Sequence, residues 1–203
     1  MSNEILYILL PDYAAHEAVY LSQAIASDEY ALKAHPLYVN KVVAPTLEPV
    51  RSIGGFRTLP DYSFDTVPDD YAALVLIGGF GWSTPVAECV MPIVKKAVEN
   101  GKIVGAICNG ASFLAKCGLL NNVRHTGNGP EQLQLWGGEN YTNPEGYVHA
   151  QAVSDRNIVT ANGSATLEFA RELLLLLEND TPEHIEMLSL IHISEPTRPE
   201  PIS

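Results

Sequence analysis

The sequence predicts a three-layer α/β domain built on a mainly parallel sheet. Three observations carry this. Ile5–Leu10, Tyr71–Ile77 and Lys102–Ile107 are evenly apolar, as strands covered on both faces must be. Segments with helical spacing alternate with them, the pattern of strand–helix–strand units. The chain has 203 residues, which at roughly 150 residues per domain suits one core.

The elements follow in order. After the first strand, Asp12 is in position to cap a helix from Tyr13 to about Ser27. Leu37–Ala44 carries Val39, Val42 and Val43 and reads as a second strand. Val50–Phe64 is rich in turn residues (Gly54, Gly55, Pro60, Asp61) and reads as short extended pieces and loop. Tyr71–Ile77 is a strand stopped by Gly78-Gly79. Val86–Asn100 is helical in pattern and Gly101 closes it. Lys102–Ile107 is a fourth buried strand. Asn109–Cys117 is a short helix, and EQLQLW between Gly127 and Gly138 is another. Val153 and Asn157–Ala161 suggest a late strand pair. Ser164 is placed to cap a last strong helix running through Leu177.

Composition narrows the class. Hydrophobic residues make up 46% and charged residues 18%, which excludes a wholly disordered chain. No apolar stretch reaches the ~18 residues of a membrane span. Ile5–Pro11, preceded by Glu4, lacks the basic flank and cleavage site of a signal peptide. The 24 acids against 12 Lys and Arg give a formal charge of −12, which argues against nucleic acid and anionic membranes as partners. Cys89, Cys108 and Cys117 are too few and too scattered for a disulfide framework. An odd count without a leader points to a reducing, cytoplasmic setting.

From Leu188 the chain reads LSLIHISEPTRPEPIS, and its composition changes abruptly. This tail looks like translated read-through of a sequencing-library transposon end and adapter; the plainer reading is a Pro-rich disordered terminus. The expected organisation is therefore one domain over 1–187 and a non-native or disordered tail over 188–203. Thr181–Met187 then reads as the first turns of a truncated helix with Pro182 near its start.

Three features carry chemistry. In KIVGAICNGASFLAKCG an apolar strand runs straight into Cys108 and a helix begins at once. That is the geometry of a nucleophile elbow, which projects the side chain from the carboxyl edge of the sheet, where open α/β sheets bind ligands. The helix start offers free N–H groups and partial positive charge, both favouring a thiolate. The competing reading is a small buried hydrophobe at a strand end. Cys117 and Cys89 read as packing residues.

Glu17 lies in the apolar stripe Ala14, Ala18, Leu21, Ile25 of the first helix, while His16, Tyr20 and Gln23 take the wetter face. A carboxylate facing a core must be paired or protonated, unless it snorkels out from the stripe's edge. A protonated carboxyl would lower the pKa of a neighbouring thiol by donating to the thiolate; an ionised one would raise it. Third, Gly78-Gly79-Phe80-Gly81-Trp82 follows a buried strand and borders the same crevice, where backbone N–H groups can be aimed at an oxygen. It lacks the third glycine of a dinucleotide fingerprint. The six histidines (His16, His35, His125, His149, His184, His192) are scattered without ligand spacing and read as surface residues. No metal and no cofactor is expected.

Taken together, these features resemble the PfpI-like family, the superfamily of the Parkinson-disease protein deglycase. AICNGASFLAKCGLL is similar to the family's elbow, PDYAAHEA to the segment with its acid, LVLIGGFGW to its Gly-Gly turn and IVTANGSATLEFARELL to its late strand and helix. The resemblance covers about Glu4 to Met187. It implies the flavodoxin-like sandwich of class I glutamine amidotransferases. It also implies Cys108 as the reactive cysteine, Glu17 as its acid, Gly78, Gly79 and Asn109 at the oxyanion and substrate side, and a possible homodimer. In some branches a His follows the cysteine; Asn109 stands there, which argues against a glutaminase or protease triad. In others a His lies on a later loop; Asn128 stands there, with His125 three residues before it as an accessory candidate.

These readings lead to an enzyme acting on small carbonyl or amide electrophiles through Cys108 and Glu17, in the manner of a deglycase, glyoxalase or hydrolase. The alternatives are a cysteine redox sensor or stress-response protein without turnover, and a binding module whose crevice Cys108 merely lines.

Overall fold

The computed structural model describes residues 3–26 and 37–186. The expectations for Ser27, Met187 and the tail 188–203 lie outside them, as do those for His35 and His192.

Strands β1 (Glu4–Ile8), β2 (Val39–Ala44), β5 (Tyr62–Ser63), β6 (Ala73–Leu76), β7 (Ile103–Ile107), β8 (Ala152–Asp155) and β9 (Ile158–Ala161) form one sheet in the order β5-β2-β1-β6-β7-β9-β8. Every pairing is parallel except the β8–β9 hairpin. A two-stranded hairpin, β3 (Val50–Arg51) with β4 (Arg57–Thr58), stands outside it. The evenly apolar strands are explained by their pleat. Leu6, Ile8, Leu74, Leu76, Val104 and Ala106 point into one core, with Trp82, Phe113 and Leu114. Ile5, Tyr7, Ala73, Val75 and Ile107 point into the other, with Leu21, Ile25, Phe169 and Leu173. Alternate residues thus serve opposite faces, and both faces are covered. Phe113 and Phe169 are fully buried, each contributing about 1.5–3 kcal/mol relative to exposure.

Helices α1 (Ala15–Ala26) and α5 (Thr166–Leu176) pack together on the second face. Helices α2 (Met91–Glu99), α3 (Asn109–Lys116) and α4 (Pro130–Gly137) belong to the first. The helical pattern at 86–100 divides: Pro85–Val90 is a 3-10 helix and α2 follows it. A further helical turn at 182–186 begins at Pro182, as expected.

Two expected caps fail. Asp12 has φ 58 and passes its carbonyl to the Phe80 N–H, so it belongs to the loop and α1 starts later, at Ala15. Ser164 stands one position too early: the residue before α5 is Ala165, and the Ser164 hydroxyl turns back to Asn162 Oδ1. In both cases the helix begins later than the cap-type residue, which stays in the loop at the sheet edge.

Candidate active site

The chain leaves β1 and β6 toward opposite sides of the sheet, so a crevice opens at their carboxyl ends. Three strand exits meet there. Glu17 stands in the first turn of α1 after β1, Gly78-Gly79 follows β6 and Cys108 follows β7.

Cys108 joins β7 directly to α3 with φ 57 and ψ −125. A non-glycine residue held there costs on the order of 1–3 kcal/mol and is kept by its surroundings. The Cys108 N–H is fastened to the Ala161 carbonyl of β9 at 3.0 Å. The start of α3 presses on β6: a Cβ at Gly110 would lie 2.6 Å from the Leu76 carbonyl oxygen. The thiol is half-buried, which sets aside the reading of a sealed core cysteine. Cys89 is exposed and Cys117 buried, as packing residues.

Glu17 does not snorkel; it is 2% exposed. One carboxyl oxygen accepts the Gly78 N–H at 2.7 Å, and the carboxyl lies beside the Cys108 thiol, a Cβ at Gly163 falling 3.3 Å from the one and 3.0 Å from the other. Burial pushes the Glu17 carboxyl above the ordinary glutamate range, outweighing the Gly78 bond, the thiol and nearby His16, which all pull it down. Burial also raises the Cys108 thiol, and the Glu17 charge adds to it. The Asn128 amide and the Asn109 N–H act in the opposite direction. The helix start therefore does not by itself lower the thiol below its usual value, as the sequence suggested; desolvation and the neighbouring carboxylate prevail. A proton on Glu17 removes that opposing charge and turns the carboxyl into a donor, so one proton shared by the pair governs both groups.

The Gly-Gly turn divides its duties. The Gly78 N–H is committed to Glu17, so Gly78 serves the acid. The bridge between Tyr13 and Gly79 uses Ala14 N–H to Gly78 O and Phe80 N–H to Asp12 O. That leaves the Gly79 N–H outside the ladder. The Asn109 side chain donates to the Gly79 carbonyl at 2.9 Å, and Gln132 of α4 donates to Asn109 Oδ1 at 2.8 Å. The Asn109 N–H, next to the sulfur, holds the thiol's titration down.

Asn128 joins the site. Its Nδ2 donates to the Cys108 sulfur at 3.3 Å, and its Oδ1 accepts the Gly163 N–H at 2.9 Å. His125 does not reach it, and it is not a surface residue. It is fully buried, with Nδ1 2.9 Å from the Val123 carbonyl and Nε2 2.6 Å from the Tyr141 hydroxyl. A carbonyl only accepts, so Nδ1 carries the proton and Nε2 accepts from Tyr141. The sequence reading missed Gly163 and Gln132. Gly163 follows β9, and a Cβ there would lie 3.0 Å from the Cys108 sulfur; His16 Nε2 bonds its carbonyl at 3.3 Å. The signal available was its place after a buried strand, the same rule that singled out Gly78. Among the described residues no group of His, Cys, Asp and Glu could hold a metal ion. No helix among them is long and apolar enough to cross a membrane.

Comparison with known proteins agrees with this architecture. The chain is 39% identical over 184 residues to the uncharacterised protease YdeA of Bacillus subtilis, covering 90% of this chain and 87% of that one. It superposes on the DJ-1 superfamily protein Atu0886 of Agrobacterium tumefaciens with a TM-score of 0.82 at 33% identity, covering 94% and 97%. More distant relatives are a deglycase of Thermococcus kodakarensis, 31% identical over 61% of this chain and 73% of that one, and a glutathione-independent glyoxalase of Caenorhabditis elegans, 26% identical over 64% and 69%. The DJ-1/PfpI family pattern matches residues 3–176. With its elbow cysteine, buried acid and parallel sheet, the chain belongs to the DJ-1/PfpI family.

Proposed function

We propose that the protein is an enzyme in which Cys108 attacks small carbonyl or amide electrophiles and Glu17 carries the proton. The observation behind this reading is the carboxyl of Glu17, almost fully buried, held against a half-exposed thiol at a strained elbow. An acid buried at that cost of desolvation is poised for proton transfer. In the first step the thiolate adds to the carbonyl carbon, so a sulfur–carbon bond forms and the C=O π pair moves to oxygen. The Gly79 and Asn109 N–H groups receive the developing oxyanion, and Glu17 returns to it the proton taken from the thiol. With a 2-oxoaldehyde, the Glu17 carboxylate can then move a proton from the thiol-bearing carbon to its neighbour. The resulting thioester is hydrolysed to a 2-hydroxy acid and free Cys108. The names of the glyoxalase and deglycase relatives are in keeping with such chemistry. Among the described residues the sulfur's partners are a carboxyl, an amide side chain and a peptide N–H, none an imidazole. For that reason we rank carbonyl chemistry above glutaminase or protease chemistry.

A second reading rests on the donors that converge on the sulfur. Asn128 Nδ2, the Asn109 N–H and a protonated Glu17 would also stabilise a sulfinate, making Cys108 an oxidation sensor. One experiment separates the two. Wild type, Cys108→Ala and Glu17→Gln are assayed with methylglyoxal and with glutamine, and cysteine oxidation under mild peroxide is followed by mass spectrometry. Methylglyoxal turnover lost in both variants supports the enzyme. Selective oxidation of Cys108 without turnover supports the sensor, and neither result leaves a binding module.

A further inference from the structure

Next to the Cys108 site, on its β8–β9 side, lies an open surface groove that Cys108 adjoins without lining. It measures about 710 Å3 and faces solvent, with room for a small ligand laid along it. Two of its walls, Asn128 and Gly163, are the residues that flank the sulfur. From there it extends toward the β8–β9 side, to His149, Gln151, Asn162 and Ser164. None of its lining residues is Asp, Glu, Lys or Arg. In a chain of net charge −12 a groove of that size without a carboxylate is a distinct chemical environment, and without a cation it offers nothing to a substrate carboxylate or phosphate.

The far wall carries neutral donors and acceptors bonded to one another. The Ser164 hydroxyl and N–H both donate to Asn162 Oδ1, at 2.7 and 3.0 Å. Asn162 Nδ2 donates to Gln151 Oε1 at 2.6 Å, and the Asn162 N–H donates to the Gln151 carbonyl at 3.1 Å. These bonds commit the Gln151 side-chain oxygen and fix its amide orientation. Its two N–H donors are claimed by no partner among the described residues, and the Ser164 oxygen keeps acceptor capacity. Beside them the rings of Tyr147 and His149 meet edge-on, 5.1 Å apart. Donors and acceptors alternating on a neutral wall match hydroxyl groups, each of which donates and accepts.

We infer that this groove binds the polyhydroxylated chain of an uncharged, sugar-derived 2-oxoaldehyde and presents its carbonyl end to Cys108. The inference deepens the carbonyl reading above and rests on it for the reaction itself. The step at sulfur is unchanged: the thiol S–H adds across the terminal C=O, with a sulfur–carbon bond formed and the proton ending on the carbonyl oxygen. No oxidant or reductant is required. Gln151 acts as a specificity-determining residue outside the catalytic pair.

The test has a turnover arm and a binding arm. Wild type and Gln151→Ala, with His149→Ala as a second groove variant, are assayed with 3-deoxyglucosone and with methylglyoxal. Wild type is expected to favour 3-deoxyglucosone in kcat/KM by about tenfold or more, and Gln151→Ala to lose about tenfold on that substrate, mainly in KM, with less than about a twofold change on methylglyoxal. Separately, saturation-transfer NMR follows sorbitol, with propane-1,2-diol as control, on Cys108→Ala and on Cys108→Ala/Gln151→Ala. Sorbitol binding that disappears with Gln151 supports the groove. Equal handling of the two oxoaldehydes, an equal fall for both in Gln151→Ala and His149→Ala, or no sorbitol binding overturns it. If neither oxoaldehyde is turned over while sorbitol still binds through Gln151, the nucleophile reading fails and the groove assignment stands.

Discussion

The carboxyl of Glu17 and the thiol of Cys108 meet with a glycine on either side of them. A Cβ at Gly78 would lie 2.5 Å from a Glu17 carboxyl oxygen and 3.1 Å from the Cys108 sulfur; one at Gly163 would lie 3.3 Å and 3.0 Å from the same two side chains. The pair therefore owes its contact to two residues with no side chain, one after β6 and one after β9, as much as to its own positions.

Gly78→Ala is expected to separate the pair. The added methyl would also stand 2.5 Å from the Cys108 Cβ, which the strained elbow cannot yield without backbone movement. Overpacking of this kind costs about 1–3 kcal/mol. Thermal denaturation would register a Tm lower by several degrees, and turnover would fall with it even at temperatures where the variant stays folded. Retained activity with an unchanged Tm would contradict the geometry.

Glu17→Gln and Asn128→Ala should move the Cys108 thiol in opposite directions. The Glu17 charge raises it and the Asn128 amide lowers it. Thiolate absorbance or alkylation rate against pH should therefore shift to lower pH in Glu17→Gln and to higher pH in Asn128→Ala. Turnover should fall about 10²- to 10⁴-fold in Glu17→Gln, the usual contribution of a general acid–base group. A thiol made more acidic in a less active enzyme would separate proton transfer from simple nucleophile activation.

Stability against pH should report the burial of Glu17. Its folded pKa is raised above the ordinary value of 4.5, so the folded state binds the proton more tightly than the unfolded chain. The stabilisation is full below about pH 4.5 and is lost as pH rises through the raised folded value. Relative to Glu17→Gln, wild type should be at its best in acid and lose ground toward neutrality. Parallel Tm–pH curves for the two proteins would refute this.

His125 should behave as a structural residue. Burial lowers its pKa below 6.5, so it stays neutral between Val123 and Tyr141. Its stabilisation is present above about pH 6.5 and declines as pH falls through the lowered folded value. His125→Phe leaves the buried Tyr141 hydroxyl without its partner, at about 1–3 kcal/mol, while the Val123 carbonyl keeps Asn143 Nδ2. The Tm gap to wild type should shrink in acid, and the titration of Cys108 should be the same in both proteins. A displaced thiol titration would make His125 part of the site.

Much of the fold was legible because burial on both faces leaves a continuous apolar run. Ile5–Leu10 and Tyr71–Ile77 could be read as central strands without knowing their neighbours. Helix starts were less legible. Asp12 and Ser164 have cap chemistry, but Asp12 is held in a loop with left-handed φ, its carbonyl bonded to the distant Phe80 N–H, and α5 begins from Ala165, one position after Ser164. At the site, Cys108 and Glu17 stood out for local reasons, a cysteine at a strand–helix junction and an acid in an apolar stripe. Gly163 and Gln132 did not, because their partners are far away in the chain.

By itself, then, the order of residues determined the layers, the central strands and the two side chains with unusual chemistry, since each follows from hydrophobic period or from a charge in the wrong surroundings. Tertiary structure alone decided which groups touch. It turned the Gly78 N–H toward Glu17, brought Asn128 to the sulfur in place of an imidazole, locked His125 away in the interior and opened a neutral groove along β8 and β9. Those outcomes depend on contacts between loops that only the assembled sheet brings to one edge.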